Sequence, residues 1–139
     1  MREIKFRGKR LDNGAWVYGS LMQLEGSAYI YDYDIGDNGV SDVPQLSLIR
    51  WHADPVTVGQ STGLHDKNGA EIFEGDIVEA WSQGQRATCE VKWGIGRAGF
   101  CLYRAKNGLL WNLSGGGANG TEEVAEVIGN IHQHPHLLP

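Results

Sequence analysis

Val58 to Val78 reads VGQSTGLHDKNGAEIFEGDIV. Four glycines, Gly59, Gly63, Gly69 and Gly75, punctuate it, and four carboxylates, Asp66, Glu71, Glu74 and Asp76, lie between them. Asp66-Lys67-Asn68-Gly69 is a tight turn, because Asn and Gly tolerate the left-handed backbone that primed hairpin turns require. Gly59 and Gly63 bracket Gln60-Ser61-Thr62 and predict a second chain reversal. Ile72-Phe73 is a short apolar plug. Glu74-Gly75-Asp76 then leads into Ile77-Val78, the clearest strand start in the chain, where a flanking glycine marks a bulge or a close backbone approach. Turns at this density leave only short elements and point to an all-β fold.

Outward from this stretch the pattern is the same. Glu3 to Lys9 alternates apolar and charged residues, Asp12-Asn13-Gly14 turns the chain, and Ala15 to Leu24 returns it as a β-hairpin. Tyr29-Ile30-Tyr31 and Leu46 to Trp51 are further strands. His52-Ala53-Asp54-Pro55 ends the second, since proline donates nothing to a ladder. Thr88 to Trp93 alternates strictly, and Phe100 to Tyr103 answers it, so Trp93 should face Phe100 and Val91 should face Leu102. Leu109 to Leu113 is an apolar run of unassigned type. Thr121-Glu122-Glu123 can cap a short helix, while Val127, Ile128 and Ile131 suit a closing strand. The five tryptophans are most simply read as core.

The 139 residues amount to one domain, or two small lobes sharing a core. Glycine, at 20 residues, is about twice its usual ~7% usage but follows no period. The net charge of −5 argues against a general nucleic-acid coat, because phosphate binding needs clustered cations. The charge is unevenly spread: Arg2, Lys5, Arg7, Lys9 and Arg10 against Glu3 make the first ten residues +4, leaving −9 elsewhere. That basic strand is a candidate contact surface for an acidic partner or, with Trp16 and Tyr18, for single-stranded nucleic acid; a solvated strand face is the simpler reading. No apolar stretch approaches the ~18 residues of a membrane span and no signal peptide is visible, so a cytoplasmic protein with two reduced cysteines is expected.

Several segments resemble, in order, the YopX family of phage and prophage proteins: IKFRGKRLDNGAWVYGSL from Ile4, Asp54 to Gly69, Ile72 to Val78, and Glu126 to Ile131. Ser61 and His65 depart from the aromatic and lysine expected in close relatives, and Ala28 to Gln45 reads as a variable insertion. The resemblance implies a mainly β protein with a minor short helix, small antiparallel sheets and a partly closed SH3-like barrel. It implies a single domain over 1–139, with an amino-terminal hairpin lobe over 1–53 and a barrel lobe over 54–139. It also implies a phage or prophage gene. It transfers no activity, cofactor or catalytic residue.

The tempting motifs weaken on inspection. His65, Asp66, Glu71, Glu74 and Asp76 form a candidate site for a hard cation or acid–base work, although loop carboxylates ordinarily accept hydrogen bonds from turn amides. The acidic run Asp32 to Gly39 fails the EF-hand register from either start: Gly36 falls at position five or at position three, and no closing Glu follows. Gly94-Ile95-Gly96-Arg97-Ala98-Gly99 spells G-x-G-x-x-G but leads into a strand where a dinucleotide site needs a helix. Ser114 to Gly120 lacks the Gly-Lys-Ser/Thr ending of a phosphate loop. His132, His134 and His136 alternate, but Pro135 interrupts them. Cys89 and Cys101 have no local His to activate a thiol. The preferred reading is therefore a non-enzymatic interaction or assembly module that associates with itself or with a phage or host protein. The alternatives are a metal-assisted hydrolase using the central carboxylates and a single-stranded nucleic-acid binder.

Overall fold

The computed structural model describes residues 4–36, 45–82, 85–94, 99–104, 109–112 and 125–138. The chain divides into two units, Ile4–Gln60 and Ser61–Pro139. The first holds β1 (Phe6–Lys9), β2 (Trp16–Leu24), β3 (Ser27–Gly36), β4 (Gln45–Ala53) and a 3-10 turn at Pro55–Thr57. β5 (Gly59–His65) begins there and continues into the second unit. That unit adds β6 (Glu71–Phe73), β7 (Asp76–Ser82), β8 (Gln85–Gly94), β9 (Gly99–Arg104), β10 (Leu109–Asn112), β11 (Ala125–Asn130) and a 3-10 turn at Pro135–Leu137. The fold is mainly antiparallel β, as expected. The strand orders are β4-β3-β2-β1-β5-β6 and β10-β9-β8-β7-β11. Neither sheet closes, so the SH3-like barrel is not seen among the described strands.

In the first unit β2 changes partner along its length. Trp16 to Gly19 pair with β1 and Ser20 to Leu24 pair with β3. The change falls at Gly19, where a Cβ would lie 2.0 Å from the Tyr31 carbonyl oxygen. Only glycine lets the two backbones come this close. Gly8 faces inward against Ala53, Val58 and Ile30. Val17, Ile30 and Ala53 form the core, with Phe6, Leu21 and Trp51 packed on it. At the far end the chain after β1 returns to β4: Arg10 bridges Ala53, and the Leu11 amide donates to the His52 carbonyl at 3.0 Å.

The second unit is built on β7 and β8. Val78 faces Cys89, Ala80 faces Ala87 and Val91 faces Leu102, and these residues form its core with Ile72. The predicted facing of Trp93 and Phe100 is present, with the rings edge-on at 5.1 Å.

Three local expectations change and one open assignment is resolved. Gln60-Ser61-Thr62 is strand, not a reversal. Gly63 (φ +79°) absorbs a bulge between the Ser61–Phe73 and His65–Glu71 pairs. The Ser61 and Thr62 hydroxyls accept the Gly63 and Leu64 amides, and this patches the interrupted ladder. Asp32 to Gly36 extend β3 beyond the predicted Tyr29–Tyr31 strand; Asp37 to Gly39 lie outside the described residues. Leu109–Asn112 is a strand. Four tryptophans expected in the core are not interior: Trp16, Trp51 and Trp81 are half-buried and Trp93 is exposed. A flat ring on a sheet surface offers its face to cations, and Arg7, Lys9 and Lys67 take up two of these faces.

Candidate functional site

The central carboxylates are held apart by separate tasks. Asp66 is buried; its Oδ1 accepts the Asn68 and Ala70 amides and its Oδ2 accepts the Val127 amide, each at 2.9 Å. The first two bonds shape the predicted Asp66–Gly69 turn, where Gly69 takes φ +83°, and the third ties that turn to β11. Asp76 is also buried, and its Oδ2 accepts the Phe73 amide at 2.8 Å, closing the turn around Gly75. Glu71 accepts the Ser61 hydroxyl. Glu74 is half-buried near Glu90. Burial raises the Glu90 carboxyl above the usual glutamate range; Lys92 offsets part of that and Glu74 adds to it. His65 is exposed opposite Glu71. Among the described residues no three His, Cys, Asp or Glu side chains gather to hold a metal ion.

The basic strand divides in a similar way. Arg7 and Lys9 alternate onto one face of β1, and Trp16 and Tyr18 lie opposite them on β2. The Arg7 guanidinium lies 4.5 Å from the Trp16 ring centroid and the Lys9 ammonium 5.9 Å from it. Arg7 is buried, so it does not present a free cation. Arg10 pairs with Asp12, and its hydrogen bond holds the Asp12 carboxyl below the ordinary aspartate range. Lys5 is half-buried, and Arg2 lies outside the described residues.

The remaining sequence candidates serve structure. Cys89 and Cys101 are both buried, and burial pushes the Cys89 thiol up, with Arg104 opposing in part. Asn130 Oδ1 accepts the His132 and Gln133 amides, and His134 Nδ1 accepts the Asn130 amide at 3.2 Å. The tail histidines thus sit in a turn rather than on one strand face. Gly94 pairs with Gly99 across a β-hairpin; Ile95 to Ala98 lie outside the described residues, as do Ser114 to Gly120 and Thr121 to Glu123.

A surface that sequence reasoning did not assemble lies on the first unit. Across β2, β3 and β4 the register aligns Met22 with Tyr29 and His52, Tyr31 with Arg50, and Tyr33 with Leu48. These residues share one sheet face. The opposite face carries Ala28, Ile30 and Ala53, which are fully buried. On the outer face, relative exposures are 48% for Met22, 59% for Leu24, 62% for Tyr33 and 70% for Leu48. Scattered exposed apolar residues need no explanation, whereas several on one face do. His52 stacks on Tyr29 with centroids 4.8 Å apart, and the Arg50 guanidinium lies 5.4 Å from the same ring. Arg50, Trp51 and His52 line a cleft of about 330 Å³ with Arg10, Leu11 and Asp12. The sequence signal was Tyr29-Ile30-Tyr31 with Tyr33, a period-two aromatic run, but the β4 residues opposite it are fixed only by pairing.

Comparison with known proteins agrees with this fold. A crystal structure of a protein from Enterococcus faecalis is similar, with a TM-score of 0.57 and 25% identity over 100% of both chains. No curated protein matches in sequence. The YopX protein family matches residues 5–139. The chain, with its two antiparallel sheets, belongs to the YopX family.

Proposed function

We propose that this chain is a non-enzymatic interaction module, an accessory protein of a phage or prophage that works in the host cytoplasm by binding another protein. The observation that supports the reading is the outer face of β2, β3 and β4, where Met22, Leu24, Tyr33 and Leu48 stay exposed, while Ala28, Ile30 and Ala53 on the other face are buried. Maintaining an apolar sheet face in water costs solubility, and such faces mark contact sites. β4 also lies at the edge of its sheet, where an extended segment can pair with it. Asp66 and Asp76 point the same way: both oxygens of Asp66 and Oδ2 of Asp76 accept backbone amides, which suits a structural role better than hydrolysis.

The test is selection from a displayed library of random nine-residue peptides, matching the length of β4, on the immobilised chain and on Tyr33→Lys/Leu48→Lys. Peptides enriched on the native chain and lost on the double variant, at unchanged circular dichroism and melting temperature, are expected. Equal enrichment on both proteins would reject the surface. Native mass spectrometry reports self-association in the same preparation; a stoichiometric divalent ion lost in Asp76→Ala would favour the hydrolase instead.

A further inference from the structure

We propose that the cleft at the end of β4 seats a carboxylate of an extended acidic peptide that adds to the β4 edge. This rests on the interaction-module reading and names the partner's chemistry. The edge is closed at one end, because the Leu11 amide donates to the His52 carbonyl and Arg10 bridges Ala53. Backbone groups of a strand alternate sides. The register that turns the His52 carbonyl outward therefore turns the amide and carbonyl of Arg50 and Leu48 to the same edge. An added strand would run along these groups and end against the Arg10–Asp12 turn.

The cleft sits at that stop. Its volume of about 330 Å³ is near the lower end of the ~300–1,000 Å³ of small-ligand sites, room for a side chain or a chain terminus rather than a large cofactor. Two cations and one anion line it, Arg10, Arg50 and Asp12, so an incoming carboxylate meets a net positive wall. Both arginines are braced. Asp12 holds Arg10 through an ion pair, and the Tyr29 ring, itself stacked on His52, carries the Arg50 guanidinium. A braced planar guanidinium loses little side-chain freedom on binding and matches a carboxylate's two oxygens. Leu48 shares the face of Arg50 two residues upstream on β4 and would take an apolar residue of the peptide two positions from its acid.

The experiment uses the selected peptides. Those enriched on the native chain are expected to carry Asp or Glu at a shared position. Synthetic labelled copies, titrated by fluorescence anisotropy, should bind about tenfold more weakly when that acid is changed to its amide, a step of ~1.4 kcal/mol. Arg50→Gln, folded by circular dichroism, should bind the acid and amide peptides equally. Enriched peptides without an acid, or acid and amide peptides equal on the native chain, would overturn this inference. The module reading would survive that result if Tyr33→Lys/Leu48→Lys still loses them. Equal enrichment on that double variant would overturn both. Stoichiometric displacement of the acidic peptide by oligothymidylate would assign the cleft to nucleic acid and overturn the peptide assignment.

Discussion

Asp66 offers the sharpest test of whether the central carboxylates are structural. Its carboxylate accepts three backbone amides, from Asn68, Ala70 and Val127. A hydrogen bond to a charged group contributes ~1.5–3 kcal/mol, so three set an upper bound of about 9 kcal/mol. The amides of Asn68 and Ala70 lie on an exposed turn and can turn to water when the carboxylate is removed. The Val127 bond spans 61 residues and holds the turn to β11, and its loss has no such local remedy. Asp66→Ala is therefore expected to cost about 3–4 kcal/mol, in the range for breaking a buried charged contact. Asp66→Asn keeps one oxygen for the two turn amides but sets an NH2 group against the Val127 N–H, at about 2 kcal/mol. Urea unfolding should rank native, Asp66→Asn and Asp66→Ala in that order at constant m-value, and hydrogen exchange at Val127 should speed up in both variants. Asp66→Ala within about 0.5 kcal/mol of the native chain would refute the clamp.

Three further outcomes are expected. Gly19→Ala places a Cβ 2.0 Å from the Tyr31 carbonyl oxygen; a clash with backbone at a β2–β3 crossing should cost ~3 kcal/mol or more, read as a fall in melting temperature. For Glu90 the folded pKa is raised, so the folded protein holds this proton more tightly than the unfolded chain. Its contribution is present below the unfolded value, near ~4.3, and is lost as pH rises through the folded one. Glu90→Gln should thus stabilise at pH 7 by less than about 1 kcal/mol at this half-buried site, with the gain absent at pH 3.5, as thermal melts at both pH values would record. Cys89, buried with its thiol pushed up, should react with a disulfide reagent only as fast as the protein opens; rapid labelling without urea would contradict this.

Much of the fold follows from local chemistry. Alternation along Thr88–Trp93, the Asn-Gly turn at Asn68-Gly69 and the break at Pro55 each act within a few residues, and each was legible in the chain. Gln60–Thr62 is strand where the sequence predicts a reversal, because a glycine at a bulge and a glycine at a turn look alike until the partner strand is known. Site chemistry is less local. Nothing in the spacing of Asp66 indicates that its acceptor capacity is used by Val127, and nothing in Arg50 indicates that it lies beside Tyr29 and lines a cleft with Arg10. The chain's own alternation marks where strands run and that each has two faces. Pairing and packing decide which face is buried, which strand is left at an edge and which carboxylates are already occupied, because those depend on contacts between residues tens of positions apart.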